Sequence, residues 1–347
     1  MTASVMAPRA GASHARIRGV GAYRPSRVVT NDEICELIDS SDEWIRERSG
    51  IITRHFAAED ESVIDMAQAA AEKALAAAGV RADEIDTVIV STVTHLSQTP
   101  SAAAELGFRL GATKPAAFDI SAACAGFSYG LAIAQDLIRG GSATNVLLIG
   151  VEKLSDLTDP TDRSIAFIFG DGAGAVVLGP SDVPAIGPVI WGSDGEQTAA
   201  ITQDVPWTTL REEPTHSFPS LRMAGPQVFR WAVYEMAKVA QEALDAAGVS
   251  AADLDVFIPH QANMRIIDQM VKTIGLRDDV VVARDIAETG NTSAASIPLA
   301  TERLLREGQA HGGQVALQIG FGAGLAYAAQ VFVLPNQNNT QETKTWH

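Results

Sequence analysis

The chain has 347 residues, enough for two packed halves, because single hydrophobic cores stop growing near about 250 to 300 residues. A composition of 46% hydrophobic and 20% charged residues argues against disorder, and the abundance of Ala with 29 Gly points to tightly packed helices and strands in a globular enzyme. A formal net charge of -16 excludes general nucleic-acid binding and requires any acidic protein partner to dock on a local basic patch.

In chain order, Met1 to Arg18 contains no sustained apolar run of the secretory kind, and no stretch reaches the roughly 18 apolar residues of a membrane span. The expectation is a cytoplasmic, reducing location and no membrane partner. There the two cysteines, Cys35 and Cys124, are each either a buried small hydrophobe or a reactive thiol. Residues 1–14 and 335–347 read as flexible tails.

Residues 72–90, EKALAAAGVRADEIDTVIV, predict an Ala-rich helix stopped by Gly79, an acidic turn and a β-branched strand. Residues 241–259, QEALDAAGVSAADLDVFIP, repeat the pattern at an offset of 169, with Gly248 as the stop. Gly170-Asp171-Gly172-Ala173-Gly174 and Gly320-Phe321-Gly322-Ala323-Gly324 look like a second echo in the same order. So long a period is not that of a solenoid. It predicts two copies of one α/β unit, 15–179 and 186–334. Between them, Trp191 to Met223 is rich in Gly, Pro, Thr and charges and reads as a loop or cap over the sheet edges.

Candidate chemistry falls at strand ends. In FDISAACAGF a strand pattern gives way to small residues and then to the helical LAIAQDLI, so Cys124 faces a helix N-terminus, which is expected to favour its thiolate. A buried, inert cysteine in a tight turn fits the same residues. His260, in PHQAN, ends the second repeat strand where the first copy has Ser91; it is either a ligand-facing group or a satisfied core histidine. Asn291, in GNTSAAS, sits in a Gly-punctuated loop leading into a helix and could equally be a cap. The G-x-G-x-G segments are followed by strand-like residues rather than a helix, and no Gly-Lys-Ser/Thr follows, which argues against nicotinamide or ATP chemistry. The seven His show no metal-ligand spacing.

Taken together, DISAACAGF, PHQAN, GNTSAAS and FGAG, with SSDEWIRERSGI near the start and DRSIAFIFGDGAGAVVL before the midpoint, resemble the β-ketoacyl-ACP synthase III family. The resemblance implies a thiolase-like, five-layered α-β-α-β-α fold, a homodimer, and a Cys124, His260, Asn291 triad that joins an acyl-CoA primer to malonyl-ACP without metal or redox cofactor. It further implies oxyanion and decarboxylation support from Phe321, Gly322 and Ala323. Trp44 and Arg163 would sandwich the CoA adenine, Arg48 would contact phosphate, and Gly225 and Asn263 would line the pantetheine arm. Thr99, in the longer THLSQTP form similar to actinobacterial synthases, would belong to the acyl pocket, commonly across the dimer interface. Arg230, Arg265 and Lys272 would dock the acyl carrier protein. A priming ketosynthase of a polyketide pathway, another acyltransferase on the same scaffold and a silent acyl-binding subunit are the alternatives. The intact trio Cys124, His260 and Asn291 speaks against the last.

Overall fold

The computed structural model of the chain describes residues 10–336. Most of the expected tails, 1–9 and 337–347, therefore lies outside the described residues. Residues 10–14 are tied down, since the Ala12 N–H donates to Ile138 O at 3.3 Å and the first strand begins at His14.

Ten strands build two sheets. The first contains β1 (His14–Tyr23), β2 (Thr87–Ser91), β3 (Ala116–Ile120), β4 (Val146–Glu152) and β5 (Gly172–Ser181), side by side in the order β1-β5-β4-β2-β3. The second contains β6 (Ile190–Ser193), β7 (Val256–Pro259), β8 (Val281–Val282), β9 (Val315–Gly322) and β10 (Ala326–Val333), in the order β6-β10-β9-β7-β8. Adding five to each strand number of one sheet gives the other. Directions match as well: the three strands farthest from β1 or β6 run parallel, and the remaining two pair antiparallel.

The first repeat signal marks this symmetry. The helix before β2, Val63–Ala78, starts with a capping box between Ser62 and Asp65 and stops at Gly79 with φ 62°. Its counterpart, Gly225–Ala247, stops at Gly248 with φ 68°. A left-handed C-cap is cheapest for glycine, so both stops are legible in the sequence. The second echo has a different meaning. Gly170–Gly174 leads into β5, whereas Gly320–Gly322 closes β9, and β-pairing makes Gly150 the partner of Gly174. The position that matches Gly320 in the first sheet is thus Gly150, and the glycine echo is not a duplicated element.

Apolar clusters define the layers. One joins the helix Val63–Ala78 and the helix Ala102–Leu110 to the outer face of the first sheet. Another joins the helices Gly225–Ala247 and Met264–Ile274 to the outer face of the second. Between the sheets lie α-helices Gly126–Arg139 and Ser296–Arg306, packed on Ile89, Leu148, Val256, Ile258 and Ala316. The order is α-β-α-β-α. The stretch expected to be a cap contributes edge strand β6 and then a short ribbon pairing 201–203 with 221–223. No helix among the described residues is long and apolar enough to cross a membrane.

Candidate active site

The two buried central helices bring their N-termini together. Cys124 occupies the single 3-10 turn Ala123–Ala125 that feeds Gly126–Arg139, and Ser293–Ala295 is the equivalent turn before Ser296–Arg306. Ala123 and Ser293 both take left-handed conformations, φ 45° and 47°, a strain that non-glycine residues hold only where the surroundings dictate it. A Cβ on Gly322, at the end of β9, would stand 2.8 Å from Cys124 Cβ and 2.9 Å from its Sγ. The sulfur fits because this residue has no side chain.

His260 follows β7 and is fixed by its own backbone, whose N–H donates to Ile319 O at 2.7 Å. Its Nδ1 lies 2.7 Å from Ser296 Oγ, and that oxygen faces the Gln261 N–H at 3.4 Å. When the Ser296 hydroxyl donates its hydrogen to Nδ1, the imidazole proton sits on Nε2. Burial holds the ring down to about 3, so it is neutral, and Phe321 presses on it edge-to-face at 5.3 Å. Gln261 itself is buried; it donates to Pro259 O and Ala283 O and accepts from Ile286 N–H, which locks the loop after His260.

Asn291 is held by its backbone against the first half: its N–H donates to Ile168 O at 2.9 Å and its O accepts from Gly170 N–H at 3.0 Å. Its Oδ1 accepts from Ser293 N–H at 2.8 Å, so the amide end free for a ligand is the Nδ2 donor. In that tautomer His260 and Asn291 both present N–H groups, not acceptors.

Cys124, His260, Asn291, Phe321, Gly322 and Ala323 line one cavity of about 720 Å³, whose walls are largely apolar. Part of Cys124 faces this space, yet the surrounding protein removes it from bulk water and pushes its thiol up to about 12; the nearby Glu152 adds to the rise and the Ser293 hydroxyl opposes it. Burial thus works against the helix-dipole stabilisation of a thiolate that the sequence suggests.

Toward the cavity mouth, Trp44 sits on the helix Asp42–Ser49, capped by Ser41. The Arg163 guanidinium stacks over the indole at 4.9 Å and that of Arg48 at 5.8 Å, with Phe167 against its edge at 5.4 Å. A purine between Trp44 and Arg163 needs about 7 Å between them, two van der Waals contacts, so Arg163 must swing outward to admit one. Gly225 and Asn263 line the same cavity; Asn263 also caps Met264–Ile274 through Arg265 N–H and donates to Arg48 O at 2.9 Å.

Arg230 and Arg265 stand on the cavity lining, with Arg265 over the Phe229 ring at 5.1 Å, and Lys272 is exposed two turns further along the helix of Arg265. Thr99 is exposed and does not line the cavity of the single chain. Among the described residues no group of three His, Cys, Asp or Glu could hold a metal ion. Sequence reading missed the supporting groups Ser296 and Gln261. Ser296 ends the GNTSAAS motif, but only the fold shows it beneath His260.

Comparison with known proteins points one way. The sequence profile of 3-oxoacyl-(acyl-carrier-protein) synthase III matches residues 118–195, and that of the C-terminal part of the same proteins matches 244–334. The β-ketoacyl-(acyl-carrier-protein) synthase III of Streptomyces glaucescens is 64% identical over 332 residues, covering 96% of this chain and 100% of the relative. Among solved structures, the priming β-ketosynthase of a polyketide biosynthetic pathway superposes with a TM-score of 0.94 at 47% identity, covering 96% of this chain and 100% of that one. The 3-oxoacyl-(acyl carrier protein) synthase III of Pseudomonas aeruginosa superposes with a TM-score of 0.87 at 39% identity, covering 93% and 99%.

Proposed function

Because the chain belongs to the β-ketoacyl-(acyl-carrier-protein) synthase III family, whose members share the thiolase-like fold, we propose that Cys124 carries the primer acyl group while His260 and Asn291 serve its condensation. The reaction is a decarboxylating Claisen condensation of an acyl-CoA with malonyl-ACP, giving 3-oxoacyl-ACP, CO2 and CoA and initiating fatty acid synthesis. The enzyme is an acyltransferase that requires no cofactor.

The single observation that carries the residue roles is the convergence of one thiol and two N–H donors, from opposite halves of the chain, on one apolar cavity. Cys124 sulfur attacks the thioester carbon, and the oxyanion is met by the Cys124 N–H with one from the Gly322–Ala323 turn. After CoA leaves, malonyl-ACP enters. Loss of its carboxylate leaves an enolate whose oxygen accepts hydrogen bonds from His260 Nε2–H and Asn291 Nδ2–H. Phe321, packed on His260, keeps water from that oxygen and disfavours the carboxylate. The enolate carbon then attacks the acyl-cysteine. Trp44, Arg163 and Arg48 hold the adenine and phosphates of CoA by stacking and charge, and Gly225 and Asn263 border its pantetheine arm.

Arg230, Arg265 and Lys272 form the local basic patch for the acidic carrier protein. A homodimer completes the reading: strand β3 is the open edge of the first sheet and exposes Phe118, and Phe108 nearby in sequence is 84% exposed. Thr99 would then reach the acyl pocket of the other subunit. A cytoplasmic setting keeps Cys124 reduced, in line with both cysteines being free. The structural likeness to a priming ketosynthase supports a second reading, a polyketide pathway. Incubation with a panel of acyl-CoAs and malonyl-ACP, followed by the mass of the Cys124 peptide, decides between primers. An acyl group on any other residue refutes the nucleophile.

A further inference from the structure

Arg54 is the largest side chain that the interior encloses completely among the described residues, at 0% exposure. The ribbon that pairs Arg27–Thr30 with Thr53–Phe56 places it there, and every acceptor it reaches is uncharged. Its Nη2 donates to Asn31 Oδ1 at 2.6 Å and to Phe167 O at 3.0 Å, and its Nη1 donates to Val29 O at 3.3 Å. Burial lowers the guanidinium to about 10, which leaves it charged at neutral pH. A cation held in the interior by neutral acceptors is costly, and an apolar side chain of the same volume would fill the space more cheaply. What the arginine adds is its bonds.

Two of its acceptors belong to opposite walls of the Trp44 site. Asn31 accepts from Arg54 on its oxygen and extends the link through its amide nitrogen, which donates to Asp42 Oδ1 at 2.8 Å and to Ile51 O at 2.9 Å. Asp42 opens the helix Asp42–Ser49 that carries Trp44 and Arg48, and Ile51 follows its C-cap, Gly50. Both ends of that helix are thus tied to one side-chain amide. Phe167 stands on the other wall, in the turn that also carries Arg163, where Ala166 N–H donates to Asp162 O and Ile168 N–H to Ile165 O, each at 2.9 Å. The apolar cluster shared by the walls includes Ile45, Ile51, Ala166 and Phe167. Apolar packing is non-directional, so the register of the walls falls to the hydrogen bonds.

We propose that Arg54 is a positioning residue for the nucleotide end of CoA: it staples the helix of Trp44 to the turn of Arg163 and so sets the slot between them, a role that rests on the reading of that pair as the adenine seat. Arg54 does not line the cavity and acts only through these partners. A purine enters when the Arg163 side chain swings off the indole. With both backbones anchored on one guanidinium, that side chain moves alone, while Trp44 keeps its place against the Phe167 edge.

The test compares two thioesters of the same acyl group in single-turnover acylation read by intact mass: the acyl-CoA, which has the nucleotide, and the acyl-pantetheine, which lacks it. Arg54→Met keeps the side-chain stem that packs beside Gly170 and Gly290 and removes every donor. It should raise the half-saturating acyl-CoA concentration about 5- to 10-fold, the worth of one displaced stacking contact, with the limiting rate unchanged. The Kd of free CoA, titrated calorimetrically, should rise by the same factor, and acylation by the acyl-pantetheine should stay at the wild-type rate. Arg54→Lys keeps the charge but not the planar fork that bridges two acceptors, and should fall between. An unchanged half-saturation in Arg54→Met overturns the proposal, as does an equal loss with both thioesters, the mark of a general defect. Should Arg54→Met fail to fold, Asn31→Ala cuts the tie to the helix while Phe167 O keeps its donor, and wild-type half-saturation there overturns the proposal. Trp44→Ala separates this failure from that of the adenine seat. If it too saturates like the wild type, the seat is wrong and the staple falls with it; a rise in Trp44→Ala with none in Arg54→Met rejects the staple alone.

Discussion

Replacing Gly322 by Ala tests the geometry of the nucleophile with one methyl group. The backbone there is extended, φ 177°, so alanine is conformationally allowed and the effect is contact alone. The new Cβ would meet Cys124 Cβ at 2.8 Å, Sγ at 2.9 Å and the Cys124 N at 3.1 Å. Ordinary contact requires about 3.7 Å, so the cysteine turn or the end of β9 must move by about 0.8 Å. Both are packed in the core, where such overpacking costs about 1 to 3 kcal/mol. The same shift separates the sulfur from the N–H groups proposed to hold the oxyanion, and a displacement near 1 Å costs about 100-fold in rate. Acylation measured by mass in single turnover should therefore fall about 100-fold, while the melting temperature drops only a few degrees. Acylation at the wild-type rate would refute the placement of Gly322 against the reacting sulfur.

Cys124→Ala should abolish acyl-enzyme formation with the fold intact, as read by intact mass and circular dichroism. His260→Ala and Asn291→Ala should still accept an acyl group yet lose about 2 to 4 kcal/mol each in malonyl-ACP decarboxylation, measured as CO2 release; normal release by both would make these residues structural. Reversing Arg265 and Lys272 to Glu should raise the KM for malonyl-ACP and weaken its salt dependence, with acylation by acyl-CoA nearly unchanged; equal losses in both would remove the docking role. For Glu152, the folded protein binds its proton more tightly than the unfolded chain, 4.5 rising to about 7, so its contribution is present below pH 4.5 and lost as pH rises through 7. Relative to Glu152→Gln, wild-type stability in urea should fall by about 3 kcal/mol over that window; parallel curves would contradict the buried carboxyl.

The sequence shows the duplication because each repeat helix needs a glycine to stop it and each following strand needs β-branched residues, and both requirements survive in 72–90 and 241–259. Cys124, His260 and Asn291 are visible because they break the apolar pattern at strand or loop ends. Glu152 is not. In VLLIGVEKL it reads as the first polar residue after a strand, an ordinary solvated charge, and only the packing of the Ser293 turn on β4 shows that it is interior. The burial of the thiol is likewise hidden, since the helix N-terminus is legible in AACAGF but the depth of the sulfur depends on residues from both halves. Ser296 and Gln261 look like small polar residues of a loop until the fold sets one under the imidazole and the other across three backbone groups.

The duplication also accounts for why the site takes its parts unequally from the two halves. Strand pairing sets Glu152 opposite Gly172 and Gly322 opposite Ala326, so Glu152 and Gly322 occupy the same position of the two sheets. By the same correspondence the Cys124 turn matches the Ser293–Ala295 turn, and His260 matches Ser91. Two equivalent turns meet two equivalent strand ends. At one, a bare glycine admits the sulfur and lets the backbone approach the proposed oxyanion position. At the other, the buried Glu152 carboxyl fills the equivalent place, on a strand pressed against the Ser293–Ala295 turn. A carboxyl in place of Gly322 would close the approach to the Cys124 sulfur. The asymmetry, bare backbone on one side and a buried acid on the other, leaves room for one sulfur only, that of the proposed nucleophile Cys124.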